Sequence, residues 1–456
     1  MTESSQRKLF GTDGIRGRAN VYPMTPEVAL QLGRAIAHVF RGEDVQPRIV
    51  IGKDTRLSNY MFETALQAGI CSMGVDAVQL GVLPTPGIAF MTTGMRAAAG
   101  VVISASHNAY EDNGIKFFAA DGFKLPDSVE HRLEQLLESG ELDSLRATGK
   151  NVGRAYRVAD AGGRYCVYLK STFPKNLRLS GLKIVVDCAN GAGYKVGPEV
   201  LYELGADVVT TGDSPDGTNI NDGVGALHPE NMAQLVRAHG ADVGIALDGD
   251  ADRLILVDAA GHIVAGDQTL ALLACDMLER DELHHRTLVS TVMSNLGLER
   301  AIRSMGAELL RTQVGDRYVV EKMRAGGYNL GGEQSGHIVA LNHSTTGDGL
   351  ISALQVLRIM VERDRPLSEL ADIMERVPQV LKAVKVNSKP PLDSLKGVSS
   401  LIAKIESDLG DRGRILVRYS GTEKKCRVML EGDDFERIES YADEVVGALK
   451  QEIGHE

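Results

Sequence analysis

The chain has 456 residues, 43% hydrophobic and 24% charged, with a formal net charge of −11. That length exceeds one ordinary core and predicts three or four domains; no apolar run approaches the roughly 20 residues of a membrane-spanning helix. The negative charge argues against nucleic acid or anionic lipid as a partner, so any phosphate-bearing ligand has to be small and held in a local basic pocket. The opening Met-Thr-Glu-Ser-Ser-Gln-Arg-Lys lacks the apolar stretch of a secretory signal, which predicts a cytoplasmic chain. Five cysteines (Cys71, Cys166, Cys188, Cys275, Cys426) are odd in number, scattered and without a Cys-x-x-Cys pair. They read as free, buried or half-buried thiols rather than disulfides or zinc ligands.

The first conspicuous segment is Phe10-Gly-Thr-Asp-Gly-Ile-Arg16-Gly, where Gly11, Gly14 and Gly17 permit tight backbone paths from which Arg16 can reach an anion. A pattern of buried strand, polar loop, amphipathic helix, Gly and second strand then occurs three times. The first copy runs from Arg48-Ile-Val-Ile-Gly through Lys53-Asp-Thr-Arg56, a helix over Phe62 to Met73, Gly74 and a strand from Asp76. The second runs from Lys183-Ile-Val-Val-Asp through a Gly-rich loop, a helix near Glu199 to Leu204, Gly205 and Asp207-Val-Val. The third runs from Thr287-Leu-Val-Ser-Thr through a helix over Leu298 to Met305, Gly306 and Glu308-Leu-Leu. Strands of Val, Ile and Leu without polar alternation are buried on both faces, as in parallel sheets flanked by helices.

Each copy continues into a further apolar strand that ends in a polar loop: Ser104-Ala-Ser-His-Asn, Asp248-Gly-Asp-Ala-Asp-Arg and Gly331-Gly-Glu-Gln-Ser-Gly-His. In open parallel sheets ligands sit beyond the carboxyl ends of strands, where helix amino termini and loop groups converge, so the three loops are expected to line one cleft. After about residue 370 the pattern changes to a strand from Gln379, a helix near Leu401 to Leu409, strands around Ile415 and Val428, and a closing helix from Phe435. Ile438, Tyr441, Val445, Val446 and Leu449 give that last helix one apolar face. The expected fold class is α/β: three related α/β domains (1–158, 159–257 and 258–370) around a central cleft, plus a smaller C-terminal α+β domain (371–456).

Asp248, Asp250 and Asp252 alternate after the apolar strand Val243 to Leu247 and can present three hard oxygen ligands to one small cation, for which Mg²⁺ is the best match. A solvated turn is the plain alternative. An EF-hand loop would need Gly where Arg253 stands and Glu where Ala259 stands, and an aspartyl-phosphatase nucleophile would need Thr or Val at Asp252. Ser106 follows the apolar strand Gly100 to Ile103 and can act as nucleophile or phosphoryl carrier, although loop serines more often serve as turn groups. A hydrolase triad does not fit, because the Gly-x-Ser-x-Gly elbow is missing and His107 is adjacent in sequence. Lys116, in Asn113-Gly-Ile-Lys-Phe, supplies a cation whose partner depends on the fold. Arg418-Tyr-Ser-Gly-Thr-Glu with Arg427 reads as a phosphate cradle of hydroxyls, backbone N–H groups and guanidiniums, or as an ordinary hairpin turn.

These segments, in this order and over essentially the whole chain, resemble the α-D-phosphohexomutase superfamily. Phe10-Gly-Thr-Asp-Gly-Ile-Arg-Gly, Val314-Gly-Asp-Arg-Tyr-Val, Gly-Glu-Gln-Ser-Gly-His and Thr346-Gly-Asp-Gly resemble most its bacterial branch acting on glucosamine phosphate. The phosphomannomutase/phosphoglucomutase branch is the alternative. The resemblance implies a phosphorylated Ser106 that holds Mg²⁺ with Asp248, Asp250 and Asp252, and catalytic roles for Arg16, Lys116, His107 and His337. It implies sugar contacts from Glu333, Ser335 and Arg253, and a distal phosphate held by Arg418, Ser420, Gly421, Thr422 and Arg427. It further implies a glucosamine 1,6-bisphosphate as intermediate and activator, a monomer or homodimer whose partner is a small sugar phosphate, and a supply of amino-sugar nucleotide and cell-wall precursors.

Ala109 and Lys424 depart from the family pattern, standing where Pro is usual. A non-catalytic sugar-phosphate sensor and a phosphatase are the competing functions. The sensor has no need of a nucleophile and a metal together, and the phosphatase would release free phosphate.

Overall fold

The unbroken Val/Ile run from Arg48 is buried from its second residue onward and pairs in parallel with a neighbour on each side, as a strand covered on both faces must. In the computed structural model, which describes residues 9–11, 13–41, 47–420 and 424–454, this strand belongs to a six-stranded sheet. Its segment comprises β1 (Ile15–Arg18), α1 (Pro26–Phe40), β2 (Arg48–Lys53), α2 (Asn59–Ser72), β3 (Asp76–Val82), α3 (Thr85–Gly94), β4 (Ala99–Ile103), β5 (Asp112–Ala119), α4 (Asp127–Ser139) and β6 (Ala155–Arg157), with strand order β1-β5-β4-β2-β3-β6. Helix α1 starts where the sequence signals it: the Thr25 side chain accepts from Val28 N–H, Pro26 sits in the first turn and Glu27 complements the helix dipole.

The second segment comprises α5 (Ala161–Ser171), β7 (Lys183–Asp187), α6 (Val196–Glu203), β8 (Asp207–Thr211), α7 (Pro229–His239), β9 (Val243–Leu247), β10 (Leu254–Asp258) and β11 (Ile263–Val264), in the order β11-β10-β9-β7-β8. The third comprises α8 (Gly266–Glu279), β12 (Thr287–Thr291), α9 (Leu296–Ser304), β13 (Glu308–Thr312), α10 (Asp316–Gly326), β14 (Leu330–Gly332), β15 (Ile338–Ala340), α11 (Gly349–Arg363) and α12 (Leu367–Ala371), with sheet order β13-β12-β14-β15. The three repeats expected from the sequence are present.

The sheets are mixed rather than parallel. In each, the third strand of the repeat (β4, β9 or β14) turns back into an antiparallel partner (β5, β10 or β15). The chemistry-bearing loops are therefore strand-to-strand returns, not the strand-to-helix turns of a purely parallel sheet.

Two compact units result. One contains residues 1–291 and 310–372, and the other 292–309 and 373–456. The second holds β16 (Gln379–Lys385), α13 (Lys396–Leu409), β17 (Gly413–Tyr419), β18 (Lys425–Gly432) and α14 (Phe435–Ile453), its strands antiparallel in the order β16-β18-β17. The α14 face of Ile438, Tyr441, Val445, Val446 and Leu449 packs into its core with Val384, Val428 and Leu430. Helix α9, which the sequence pattern counts with the third repeat, groups with this unit. The five cysteines are free and buried or half-buried, as expected.

Candidate active site

The three return loops meet within the first unit. Ser106 is buried, and its hydroxyl donates to Asp248 Oδ2 at 2.6 Å. Its backbone N–H donates to Ser104 Oγ at 2.9 Å, and Ser104 in turn donates to Asp54 Oδ2 at 2.6 Å. Ser106 has φ 52°, a left-handed conformation unusual for a residue with a side chain. The Asp248–Arg253 loop presses against it: a Cβ on Gly249 would stand 2.5 Å from the Ser106 carbonyl, so only glycine permits this approach. On the other side, Leu254 N–H donates to Gly336 O at 3.0 Å and Arg253 bridges His337, joining the Asp248–Arg253 loop to the Gly332–His337 loop.

Asp248, Asp250 and Asp252 are all buried, with a carboxylate oxygen from each lying within 4.8 Å of the others. Asp250 Oδ1 and Asp252 Oδ1 are buried without a hydrogen-bond donor. Burial, then the neighbouring Asp252 and Asp250, hold the Asp248 carboxyl well above its usual range. Buried acceptor oxygens in mutual repulsion are the donor set a small hard divalent cation takes, so these residues fit Mg²⁺.

Cations surround the trio. Lys116, on β5, places Nζ 3.0 Å from Asp250 Oδ2 and 3.1 Å from Asp13 Oδ2. Burial opposes its charge, but Asp13 and Asp250 outweigh that and hold its ammonium well above the ordinary lysine range. Asp250 also accepts from Thr85 Oγ1 at 2.7 Å; burial works against its charge, yet Lys116 and Thr85 hold it below the usual carboxylate range. Arg16 pairs with Asp13 and donates to Ala105 O at 3.2 Å.

The two histidines are driven apart. His107, whose Nδ1 lies 3.5 Å from Ser106 Oγ, is pushed down to about 4 by burial, with Arg253 and Arg16 adding to it. His337 lies 3.4 Å from both Asp252 Oδ1 and Asp316 Oδ2; burial opposes its charge, but these carboxylates raise it to about 9. At neutral pH the first ring is neutral and the second cationic.

In the third loop, Glu333 Oε1 accepts from Gly315 N–H at 3.0 Å, and Ser335 Oγ and Gln334 Oε1 are buried without a hydrogen-bond partner. Arg253 N–H donates to Asp248 Oδ1 at 3.1 Å, while its buried Nε has no hydrogen-bond partner. Unsatisfied buried polar groups beside the trio suit a polyhydroxyl ligand.

In the second unit, Arg418 and Arg427 stand directly opposite each other on β17 and β18. Burial, then Arg427, depress the Arg418 guanidinium. Ser420 is buried, while Gly421 and Thr422 lie outside the described residues.

Sequence reasoning did not single out Asp13, Thr85, Lys124, Asn221 and Asp316. Asp13 and Asp316 lie inside the Phe10-Gly-Thr-Asp-Gly-Ile-Arg-Gly and Val314-Gly-Asp-Arg-Tyr-Val motifs, their only local signal. Lys124 and Asn221 lie in ordinary-looking turns.

Four family profiles match in order: phosphoglucomutase/phosphomannomutase α/β/α domain I over residues 7–144, domain II over 164–261, domain III over 265–377, and the C-terminal domain over 381–448. A phosphoglucosamine mutase from Geotalea daltonii is 59% identical over 98% of this chain and 99% of its own. The chain belongs to the α-D-phosphohexomutase superfamily. Another relative of this phosphohexomutase, a phosphoglucosamine mutase from Myxococcus xanthus, is 58% identical over 98% of both chains. Among solved structures, a phosphoglucomutase/phosphomannomutase family protein from Burkholderia thailandensis superposes with a TM-score of 0.78 at 25% identity, covering 97% of this chain and 99% of that one. The N-acetylphosphoglucosamine mutase of Aspergillus fumigatus, solved with GlcNAc-6P and magnesium, shares the fold at a TM-score of 0.65 and 16% identity, over 99% and 97% of the two chains.

Proposed function

We propose that this phosphohexomutase interconverts glucosamine 6-phosphate and glucosamine 1-phosphate, with Ser106 carrying the phosphoryl group and glucosamine 1,6-bisphosphate formed between the two half-reactions. The observation that carries the chemistry is the Ser106 hydroxyl, 2.6 Å from Asp248 within three buried carboxylates. The choice of sugar rests on relatives named phosphoglucosamine mutase at 59% and 58% identity over nearly the full chain.

Asp248, Asp250, Asp252 and the phosphorylated Ser106 would hold Mg²⁺, which when bound withdraws electron density from the phosphoryl group and offsets its charge. Phosphoryl transfer passes through a loose transition state, so the protein's work is alignment and charge stabilisation. In the first half-reaction the P–O bond to Ser106 breaks, a P–O bond to the free sugar hydroxyl forms, and that hydroxyl gives up its proton. Lys116, held between Asp13 and Asp250, neutralises phosphoryl oxygens, and the hydroxyl proton needs an acceptor beside Ser106. His107, neutral at working pH and beside Ser106, suits that role, while cationic His337 and Arg16 add positive charge. Glu333, Ser335 and Arg253 orient the sugar. Arg418, Ser420, Gly421, Thr422 and Arg427 hold the phosphate that is not reacting, and one such site serves both orientations of the bisphosphate. In the second half-reaction the other phosphate returns to Ser106 and the product leaves, with no net hydrolysis.

The partner in this reading is a small cytoplasmic metabolite. The net charge of −11 agrees with that, and no described helix is long and apolar enough to cross a membrane.

The test is turnover of glucosamine 6-phosphate with Mg²⁺ and a trace of glucosamine 1,6-bisphosphate, beside glucose and mannose phosphates and a Ser106→Ala control. Isomerisation fastest with glucosamine phosphate and abolished in the control is expected. Preference for another hexose would overturn the sugar assignment, and release of free phosphate would overturn the mutase.

A further inference from the structure

The carbonyl oxygen of Ser106 receives two side-chain donors from two different repeats. From the first repeat, Arg56 Nη2 lies 3.0 Å from it and 2.8 Å from Asn108 O. From the second, Asn221 Nδ2 lies 2.9 Å from it and 3.1 Å from Asn108 O. Arg56 is wholly buried, its Nε is held by Asp54 at 2.9 Å, and its Nη1 binds Ala109 O and Asp112 O. Its guanidinium thus spends its donors on the backbone of the serine loop, apart from the one on Asp54. Asn221 is buried too, with its own N–H on Ala189 O at 2.9 Å and a left-handed φ of 60°.

The flanking residues repeat the tie. Thr55 Oγ1 donates to Asn190 O at 2.5 Å and Leu57 N–H to Gly217 O at 2.8 Å, so Thr55–Leu57 is strapped to the second repeat along its length. A left-handed residue bearing a side chain persists only where its surroundings over-determine it, and here the over-determined atom is the carbonyl of the nucleophile itself. Glycine at 106 would relieve the backbone but lose the hydroxyl. The family's usual Pro is also absent at Ala109, whose carbonyl is one of the acceptors Arg56 holds.

We propose that Arg56 and Asn221 form a two-repeat clamp on the Ser106 carbonyl, positioning the nucleophile against the carboxylate trio. This rests on Ser106 being the phosphoryl carrier. Asn221 belongs to the same sheet segment as Asp248, Asp250 and Asp252, so its two bonds set the distance between the serine loop and the carboxylates. In-line transfer is sensitive to that distance: a misplacement of about 1 Å can cost on the order of 100-fold in rate. Neither residue touches substrate; both act through Ser106.

The decisive variant is Asn221→Gly, because glycine accepts a φ of 60° and the change removes both donors without straining the backbone. Two quantities are measured on the full-length enzyme: the steady-state kcat and KM, and the rate at which glucosamine 1,6-bisphosphate phosphorylates Ser106, followed by intact mass. We expect kcat and the phosphorylation rate to fall at least tenfold, with KM within twofold and the thermal unfolding midpoint nearly unchanged. Asn221→Asp, of the same shape but aiming a carboxylate at two carbonyl oxygens, should fall at least as far. Combining Asn221→Gly with Arg56→Lys should cost less than the product of the single effects, since both act on one carbonyl. A kcat within twofold of wild type in Asn221→Gly would overturn the clamp, as would equal losses in kcat, KM and melting midpoint. If wild type neither turns over nor accepts phosphate on Ser106, it is the proposed function that fails instead.

Discussion

Asp348 is a buried carboxyl outside the Asp248, Asp250 and Asp252 trio whose titration the fold displaces into an accessible range. Its Oδ1 accepts from Leu350 N–H at 3.0 Å and Ile351 N–H at 2.9 Å, capping α11, and its Oδ2 takes the Tyr165 hydroxyl at 2.5 Å. Burial outweighs those three bonds and, with nearby Asp252 adding repulsion, raises the group from 3.8 to about 6. The folded chain then holds a proton that the unfolded chain has lost between about pH 4 and 6, so stability from this group falls as pH rises through that window and is flat above it. The size is roughly 2–3 kcal/mol at about 1.4 kcal/mol per pKa unit. Urea unfolding of wild type and Asp348→Asn, which keeps an acceptor for both amides, should show the variant gaining about that much relative to wild type between pH 4 and 6.5. A difference constant with pH would show that Asp348 titrates normally.

At the level of elements, Glu431 on β18 joins α9 to the C-terminal sheet within the second unit. Fully buried, it accepts from Asn295 Nδ2 at 3.0 Å, Leu296 N–H at 3.0 Å, Gln379 Nε2 at 2.8 Å and Arg414 Nε at 2.5 Å. Glu431→Leu leaves those donors buried against a hydrocarbon and should destabilise the second unit by about 3–5 kcal/mol, whereas Glu431→Gln, which still accepts, should cost visibly less. Differential scanning calorimetry reads both, and equal losses would show that volume alone matters.

This junction was not legible in the sequence, because α9 carries the helix-Gly-strand signature of the third repeat and nothing local says where its far face packs. Central strands such as β2, β7 and β12 were legible because burial on both faces demands an unbroken apolar run. The antiparallel returns were not. Strand β5 reads Asp-Asn-Gly-Ile-Lys-Phe-Phe-Ala, and its lysine is buried only because Asp13 and Asp250, remote in sequence, face it. The same reason divides the site: loop residues that stand together were readable, whereas Asn221 sits in a Gly- and Asp-rich stretch whose local meaning is simply a loop.

Within the first unit one chain of ion pairs begins and ends on the carboxylate trio. It runs from Asp250 to Lys116, Asp13, Lys124, Asp316 and His337, and returns to Asp252, alternating in sign at every step. On this path Lys124 joins the first repeat to the third, with Nζ 2.5 Å from Asp13 and 2.5 Å from Asp316. Its loss falls unequally on the two carboxylates. Asp13 keeps Lys116 and Arg16, but Asp316 keeps only His337 at 3.4 Å among these cations. Lys124→Met should therefore destabilise the first unit by about 3–5 kcal/mol, chiefly through the stranded Asp316 charge rather than through lost packing, since methionine fills much of the lysine stem. Adding Asp316→Asn to that variant removes the stranded charge, so the double variant should be more stable than Lys124→Met alone. Urea unfolding of the two single variants and the double closes the cycle, and simple additivity would mean that Lys124 stabilises the unit by packing and that the path of alternating charge carries no coupling.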